Sequence, residues 1–356
     1  MQRLSRLYPH RDILLTDSGT SALLLALRLT RPDFGHTPKV ALPAYACPDV
    51  GAAAVAAGYT IMLYDTNPAT LQPELASVRR CLEAGCLHVV AVHLFGWLVD
   101  VPAIVALAAP FGARVIEDAA QHAGATWGGV RGGALADWSV LSFGRGKGIN
   151  AGGGGALLAP LGAAATTRVA LTTSRRAASA VVLGTTIATE LLSSPWMYWL
   201  PQAVPALRLG ETVYHAARPP GAITLTSAVL LPDALEHEAD ALQTRRGAEH
   251  HYRSALGERT ELLFDAPDGA MQSGALRFPV RLPVGGGATL GRWGVARSYP
   301  RTLAEYPELV GHLHASARAC PGAQLLAECL HTLPTHAGAR ADDREALVQR
   351  LRTLTR

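Results

Sequence analysis

Short runs of consecutive apolar residues recur through the first half of the chain: 12–16 (DILLT), 39–43 (KVALP), 60–64 (TIMLY), 88–93 (HVVAVH), 113–117 (ARVIE) and 138–142 (WSVLS). Between them, 20–30, 49–57, 73–84 and 101–111 have helical character. Strands that alternate with helices predict a mostly parallel sheet with helices on both faces. Unbroken apolar strands fit that expectation, because a doubly covered sheet buries both sides of each strand. In such sheets ligands sit beyond the carboxyl ends of the strands. Those ends are where the polar and glycine residues fall: Asp17 to Ser21, Pro43 to Asp49, His93, Asp118 to Gln121, and Ser142 to Lys147. Five strand ends therefore point to one rim.

Beyond this the pattern changes. From about 156 to 220 the chain is rich in Ala, Leu and Thr, which predicts helix ending in a Pro-rich connector. Residues 233–256 read as one long helix with a polar face, 275–282 as an apolar strand and 342–355 as a final helix. The expected organisation is a large α/β domain over 1–220, with an apolar helical segment at about 160–215, and a smaller α+β domain over 221–356.

Composition narrows the function classes. The chain has 356 residues, 49% of them hydrophobic, enough for a sizeable core. A net charge of +4 is small for this length. The paired arginines (Arg79 and Arg80, Arg175 and Arg176, Arg245 and Arg246) are scattered, so nucleic-acid binding is not expected. The five cysteines form no CxxC pair, and the opening Met-Gln-Arg-Leu-Ser-Arg does not resemble a signal peptide. Both features predict reduced thiols and a cytoplasmic location. No metal site is expected, because His237-Glu238 has Ala241 where HExxH needs its second histidine. The apolar stretch 180–200 is interrupted by Glu190 and Pro195, so a buried or partner-facing helix is expected there rather than membrane contact.

Three local patterns carry candidate chemistry. Gly19 between a strand and a helix would let backbone N–H groups and the Thr20 and Ser21 hydroxyls meet an anion, although a plain N-cap uses the same residues. Asp118 at the end of a buried strand needs a cation, which a protonated pyridine, a structural salt bridge or a metal would each supply. Lys147 among glycines has room for a flat ligand and suits a Schiff-base amine, while a solvated loop lysine would look the same. The Walker phosphate loop is excluded, since Leu141 and Gly148 stand where it needs Gly and Ser or Thr. A GxGxxG dinucleotide loop does not fit the spacing of Gly144, Gly146 and Gly148 either.

Seven motifs occur in one order: GTSAL (19–23), P-x-Y-x-C (43–47) with AG at 57–58, D-x-N-P-A-T-L (65–71), VHLFG (92–96), IEDAAQ (116–121), SFGRGK (142–147) and GGGGAL (152–157). Together they resemble the DegT/DnrJ/StrS-type aminotransferases, fold-type-I enzymes that use pyridoxal 5'-phosphate (PLP) and mostly aminate keto-sugar nucleotides. The resemblance covers roughly residues 12–160 and continues weakly at 240–282 and 333–336. It implies that Lys147 forms the Schiff base and shuttles the proton, that Asp118 pairs with the pyridine nitrogen, and that Gln121 lies near the phenolic oxygen. It assigns Gly19, Thr20, Ser21 and Ser142 to the phosphate. The aromatic that stacks on the ring falls at Cys47, so either Cys47 packs there or Tyr45 reaches across. The family's Asn/Arg loop, which reaches the partner subunit's phosphate, falls at 219–228, where this chain reads PPGAITLTSA with Thr224 or Thr226 as substitutes. The expected activity is transfer of an amino group from an amino-acid donor, with glutamate favoured, to a keto acceptor by a homodimer. The alternative is a PLP-binding homologue with altered substrate or lost turnover.

Overall fold

The computed structural model describes residues 2–31, 35, 37–163, 171–173, 178–185, 212–265, 269–287, 290–315 and 320–354. Most of the apolar stretch 180–200, and Arg175 and Arg176, lie outside the described residues. The chain opens with α1 (Gln2–Leu7) and β1 (Arg11–Thr16). It continues as α2 (Gly19–Leu29), β2 (Lys39–Pro43), α3 (Pro48–Ala56), β3 (Thr60–Tyr64), α4 (Leu75–Glu83), β4 (Cys86–Val92), α5 (Val101–Ala108) and β5 (Arg114–Asp118). A small hairpin, β6 (Thr126–Trp127) and β7 (Val130–Arg131), precedes β8 (Trp138–Ser142) and β9 (Gly155–Pro160).

Among the described residues seven strands form one sheet in the order β1-β9-β8-β5-β4-β2-β3. The β2–β3, β2–β4, β4–β5 and β5–β8 pairs are parallel, and β9 runs antiparallel to both β1 and β8. The other six strands therefore point one way, and the ends of β1, β2, β4, β5 and β8 share an edge, as the apolar pattern predicts. The helical expectation from residue 156 onward is corrected at its start, since 155–160 is a strand. Its Ala and Leu residues favour helix by local propensity, but Ala156, Leu157, Leu158 and Ala159 fill a slot between two strands and are wholly buried.

The two faces of the sheet are covered differently. One packs against α2 and α3 and also against Tyr299, Leu303, Leu309, Ala323 and Leu326 from far along the chain. The other meets α4 and α5, and beside them α1 and α6 (Leu225–Glu236). A separate apolar cluster joins α7 (Glu238–Ala255), β11 (Arg277–Arg281), β12 (Leu330–Pro334) and α9 (Ala341–Thr353), with β10 (Met271–Gln272) and α8 (Pro321–Cys329) between them in sequence.

The single helix expected over 233–256 is two helices that meet at His237, whose φ is −88° and ψ 4°. Leu231 and Leu235 bury against α1 and β8, whereas Ala248 and Tyr252 bury against β11. Two targets in different directions require the bend, and a periodic pattern read along the chain does not register it.

Candidate active site

Successive residues of a strand face opposite sides of the sheet, so Glu117 and Asp118 at the end of β5 enter different surroundings. Glu117 is fully buried. It accepts hydrogen bonds from His93 Nε2 (2.8 Å), Gly133 N (2.5 Å), Leu135 N (2.9 Å), Ala136 N (3.2 Å) and Ser139 Oγ (3.0 Å). His93 Nδ1 accepts from Val99 N at 3.1 Å, so the ring donates through Nε2. Burial pushes the Glu117 carboxyl up, but the bonds from His93, Gly133 and Ser139 more than offset it and hold the group below its ordinary range.

Asp118 is buried too, and its Oδ1 accepts only from Ala120 N at 3.0 Å. Among the described residues no cation lies within ion-pair distance of it. Burial pushes this carboxyl up, and the Ala120 N–H and the charge of Lys147 only partly oppose the rise. A carboxylate held out of water with one backbone donor has capacity for a cationic partner.

Lys147 reaches the same place from the loop after β8. Its backbone N–H donates to Gly144 O at 3.2 Å. Gly148 lies so close to the chain after Asp118 that a Cβ there would fall 2.4 Å from Ala123 Cα. Only glycine permits this approach, which brings the half-buried Lys147 within electrostatic reach of Asp118, Asp49 and Cys47.

Ser18 caps α2, its Oγ accepting from Ser21 N at 3.1 Å. A Cβ on Gly19 would lie 2.9 Å from Ser142 Cβ, and one on Gly155 would lie 2.6 Å from Ser18 O. These contacts gather the start of α2, the end of β8 and the start of β9 into a turn lined by Gly19, Thr20, Ser21 and Ser142. Exposed N–H groups at a helix N-terminus with hydroxyls beside them suit an anion.

Gln121 is fixed at both ends, its Oε1 accepting from Phe95 N (2.8 Å) and its Nε2 donating to Tyr299 Oη (2.6 Å). Phe95 has a φ of 58°, a conformation that a bulky residue adopts only when its surroundings hold it there. Tyr45 is fully buried and meets Tyr299 edge-on, with ring centroids 5.4 Å apart. Cys47 is the N-cap of α3 and lies within electrostatic reach of Lys147. Burial pushes its thiol up to about 12, so Cys47 packs as a small apolar group.

The segment 219–228 docks on its own chain. Asp17 N donates to Gly221 O at 2.8 Å, Thr224 caps α6, and Thr226 Oγ1 donates to Ser179 O at 2.9 Å. Among the described residues no cluster of His, Cys, Asp or Glu is arranged to hold a metal, and no helix is long and apolar enough to cross a membrane.

The sequence carries no rim expectation for Tyr299 or Glu117, and one for Asp49 only as the last residue of the Pro43–Asp49 strand end. Tyr299 has no signal nearby, since only the fold brings it to Gln121. Glu117 lies inside the IEDAAQ motif, but its role depends on donors from 133–139. Asp49 reads as an ordinary acid in the first turn of a helix, yet its Oδ2 lies 3.5 Å from Thr20 Oγ1.

The sheet order and this rim define a fold-type-I PLP aminotransferase fold. The crystal structure of 3-amino-5-hydroxybenzoic acid synthase superposes with a TM-score of 0.75 at 20% identity, covering 98% of this chain and 88% of that one. Residues 2–177 match the sequence profile of the DegT/DnrJ/EryC1/StrS aminotransferase family, and over that span the chain is similar to this family. A UDP-N-acetyl-3-dehydro-alpha-D-glucosamine 3-aminotransferase from Acidithiobacillus ferrooxidans is 33% identical over 136 residues, 38% of this chain and 36% of that protein. The 3-amino-5-hydroxybenzoate synthase of Amycolatopsis mediterranei is 32% identical over 139 residues, 39% of this chain and 35% of that protein. The chain thus spans about a third of the length of these curated relatives.

The family's cofactor is PLP, and the residues present fit it. The under-coordinated Asp118 carboxyl matches a protonated pyridine nitrogen, the half-buried Lys147 amine matches an aldehyde, and the glycine-lined turn at Gly19 and Ser142 matches a phosphate.

Proposed function

We propose that this chain is a PLP-dependent aminotransferase that takes an amino group from an amino-acid donor, glutamate in our reading, and delivers it to a keto acceptor, in our reading a keto-sugar on a nucleotide carrier. The observation that supports this most is a buried Asp118 carboxyl short of donors, with the charge of Lys147, unpaired among the described residues, felt beside it on one rim. When bound, PLP supplies an aldehyde that condenses with amines and a ring that withdraws electrons from the adjacent carbon.

The protein's own groups divide the remaining work. Lys147 Nζ, when uncharged, accepts the proton from the substrate carbon and returns it, and its glycine neighbours leave the side chain free to swing between positions. Asp118, ionised, keeps a proton on the pyridine nitrogen. Gly19, Thr20, Ser21 and Ser142 bind the phosphate through N–H and hydroxyl donors. Gln121 ties the Phe95 turn to Tyr299 and so holds one wall in place, with its second amide hydrogen available to the phenolic oxygen. Cys47 packs where the family has a stacking aromatic, and Tyr45 supports Tyr299 from behind. Our reading also makes the protein a cytoplasmic homodimer, and five free cysteines suit a reducing compartment.

A second reading, a PLP-binding homologue without turnover, draws on the 219–228 segment, where Thr224 and Thr226 are engaged within their own chain. One experiment tests both. Purified protein given PLP is expected to show a visible absorbance band and, after borohydride, a covalent mass adduct on Lys147. Lys147→Ala is expected to show neither and to lose about 10²- to 10⁴-fold in turnover. Added glutamate should abolish the visible band and generate one at shorter wavelength. A protein that takes up PLP but ignores every amino donor supports the second reading, and one that stays colourless with PLP sinks both.

A further inference from the structure

Asp49 is a carboxylate in a place where the site reading calls for an anion. It sits in the first turn of α3, with Oδ2 3.5 Å from the hydroxyl of Thr20. Its Oδ1 is itself out of water and, among the described residues, has no hydrogen-bond partner, while the side chain as a whole is 39% exposed. Among the described residues the charged and titratable groups facing it come from three directions. Lys147 faces it from the loop after β8, Cys47 from its own helix cap, and His215 and Tyr214 from the 212–220 segment. His215 Nδ1 stands 4.0 Å from Oδ1, and its side chain is largely exposed.

If Thr20 also binds a phosphate, an ionised Asp49 and that phosphate compete for one hydroxyl and repel each other in a partly dry space. Among the described residues, Lys147 and His215 are the cations that face Asp49. Lys147 must be uncharged to act as a base, and an uncharged Lys147 no longer shields Asp49. His215 is exposed, so water screens its charge.

We propose that Asp49 is part of the phosphate cradle and enters it as the protonated acid, donating one hydrogen bond from its carboxyl to the phosphate of the cofactor. The inference rests on the cofactor reading given above. Hydrogen bonds from a carboxyl to an anionic oxygen are short and strong, and this one would occupy an oxygen that otherwise has no partner. Burial already pushes the Asp49 carboxyl up, with His215, Lys147 and Thr20 opposing, so less free energy is needed to keep the proton. Cofactor binding then takes up a proton at Asp49, and affinity falls as pH rises through the titration of this group.

The test is an equilibrium titration followed by absorbance and fluorescence rather than by turnover. PLP and phosphate-free pyridoxal are each titrated into wild type and Asp49→Asn across about pH 6 to 9, a window above the ordinary carboxylate range. Asp49→Asn is expected to bind PLP about tenfold more tightly than wild type at the alkaline end and about equally at the acid end. Pyridoxal should not distinguish the two proteins. Asp49→Ser, which also removes the charge, should show the same flattened pH profile and serves if the Asn protein does not fold. The proposal is overturned if wild type takes up PLP but the neutral variants bind it no more tightly at high pH, or if they shift pyridoxal as much as PLP. Failure of wild type to take up PLP at all would overturn the cofactor reading together with this one.

Discussion

The two faces of β5 show how one strand end can hold a carboxyl saturated with donors on one side and one left short of them on the other. On one side Glu117 accepts from five donors and is wholly enclosed. On the other, Asp118 accepts from a single backbone N–H and faces a lysine it does not pair with. Both carboxyls are buried, yet their proton affinities move in opposite directions. A carboxylate saturated with donors locks the fold, since it ties β5 to the 133–139 turn that leads into β8. A carboxylate left short of donors lowers the stability of the ligand-free protein and keeps its binding capacity for a cation from outside. The contrast separates an acid that the fold saturates with donors from one that it leaves short of them, without reference to any relative.

The contrast can be broken most sharply at Glu117. Glu117→Ala leaves His93, Ser139 and three backbone N–H groups without their acceptor and is expected to cost about 3–5 kcal/mol in urea unfolding. A loss under about 1 kcal/mol would mean that the network merely accommodates the charge. Wild-type stability should also fall in acid. A carboxyl held below its unfolded value contributes stability above that value, and the contribution is lost as pH drops through the folded one.

Ser139→Ala removes one of the five donors and should cost about 1.5–3 kcal/mol, the range for a hydrogen bond to a charged group. Chemical denaturation of this variant alone and combined with Glu117→Gln would show whether the two effects are coupled.

Asp118→Asn should act in the reverse sense. A carboxyl raised on folding gives its full stability below the unfolded value and loses it as pH rises through the folded one. The ligand-free Asn protein should therefore be more stable than wild type at neutral pH, on the order of 1 kcal/mol, with the gain vanishing in acid. Its affinity for PLP should be weakened at the same time. A ligand-free protein destabilised by this change would mean that Asp118 already has an adequate partner.

Much of the fold was legible in the sequence because parallel strands buried on both sides appear as unbroken apolar runs ending in polar residues. The run at 155–160 was not legible as strand. Ala and Leu favour helix locally, and only the gap between β1 and β8 decides otherwise. The bend at His237 was hidden for a related reason, since it reflects two packing targets and not a local signal. At the site, Gly19, Ser142, Asp118 and Lys147 could be placed on one rim because each ends a strand or lies in the loop that follows one. Tyr299 could not, and Asp49 could be placed there but given no role. The first comes to Gln121 from far along the chain. The second has unremarkable helix-start chemistry until Thr20 is seen beside it.

The antiparallel strand β9 has a consequence for how the molecule is made. β1 lies at an edge of the sheet, and its neighbour there is β9, the last of the seven strands to be translated. The turn at Gly19 is pressed into shape by Gly155 at the start of that same strand. On the ribosome, the earliest strand therefore waits unpaired until Pro160 has cleared the exit tunnel. The turn at Gly19, which we propose binds the cofactor phosphate, cannot mature before then, however early α2 forms. Capture of the cofactor by a nascent chain is thus a late event, and fragments ending before β9 should remain dependent on chaperones.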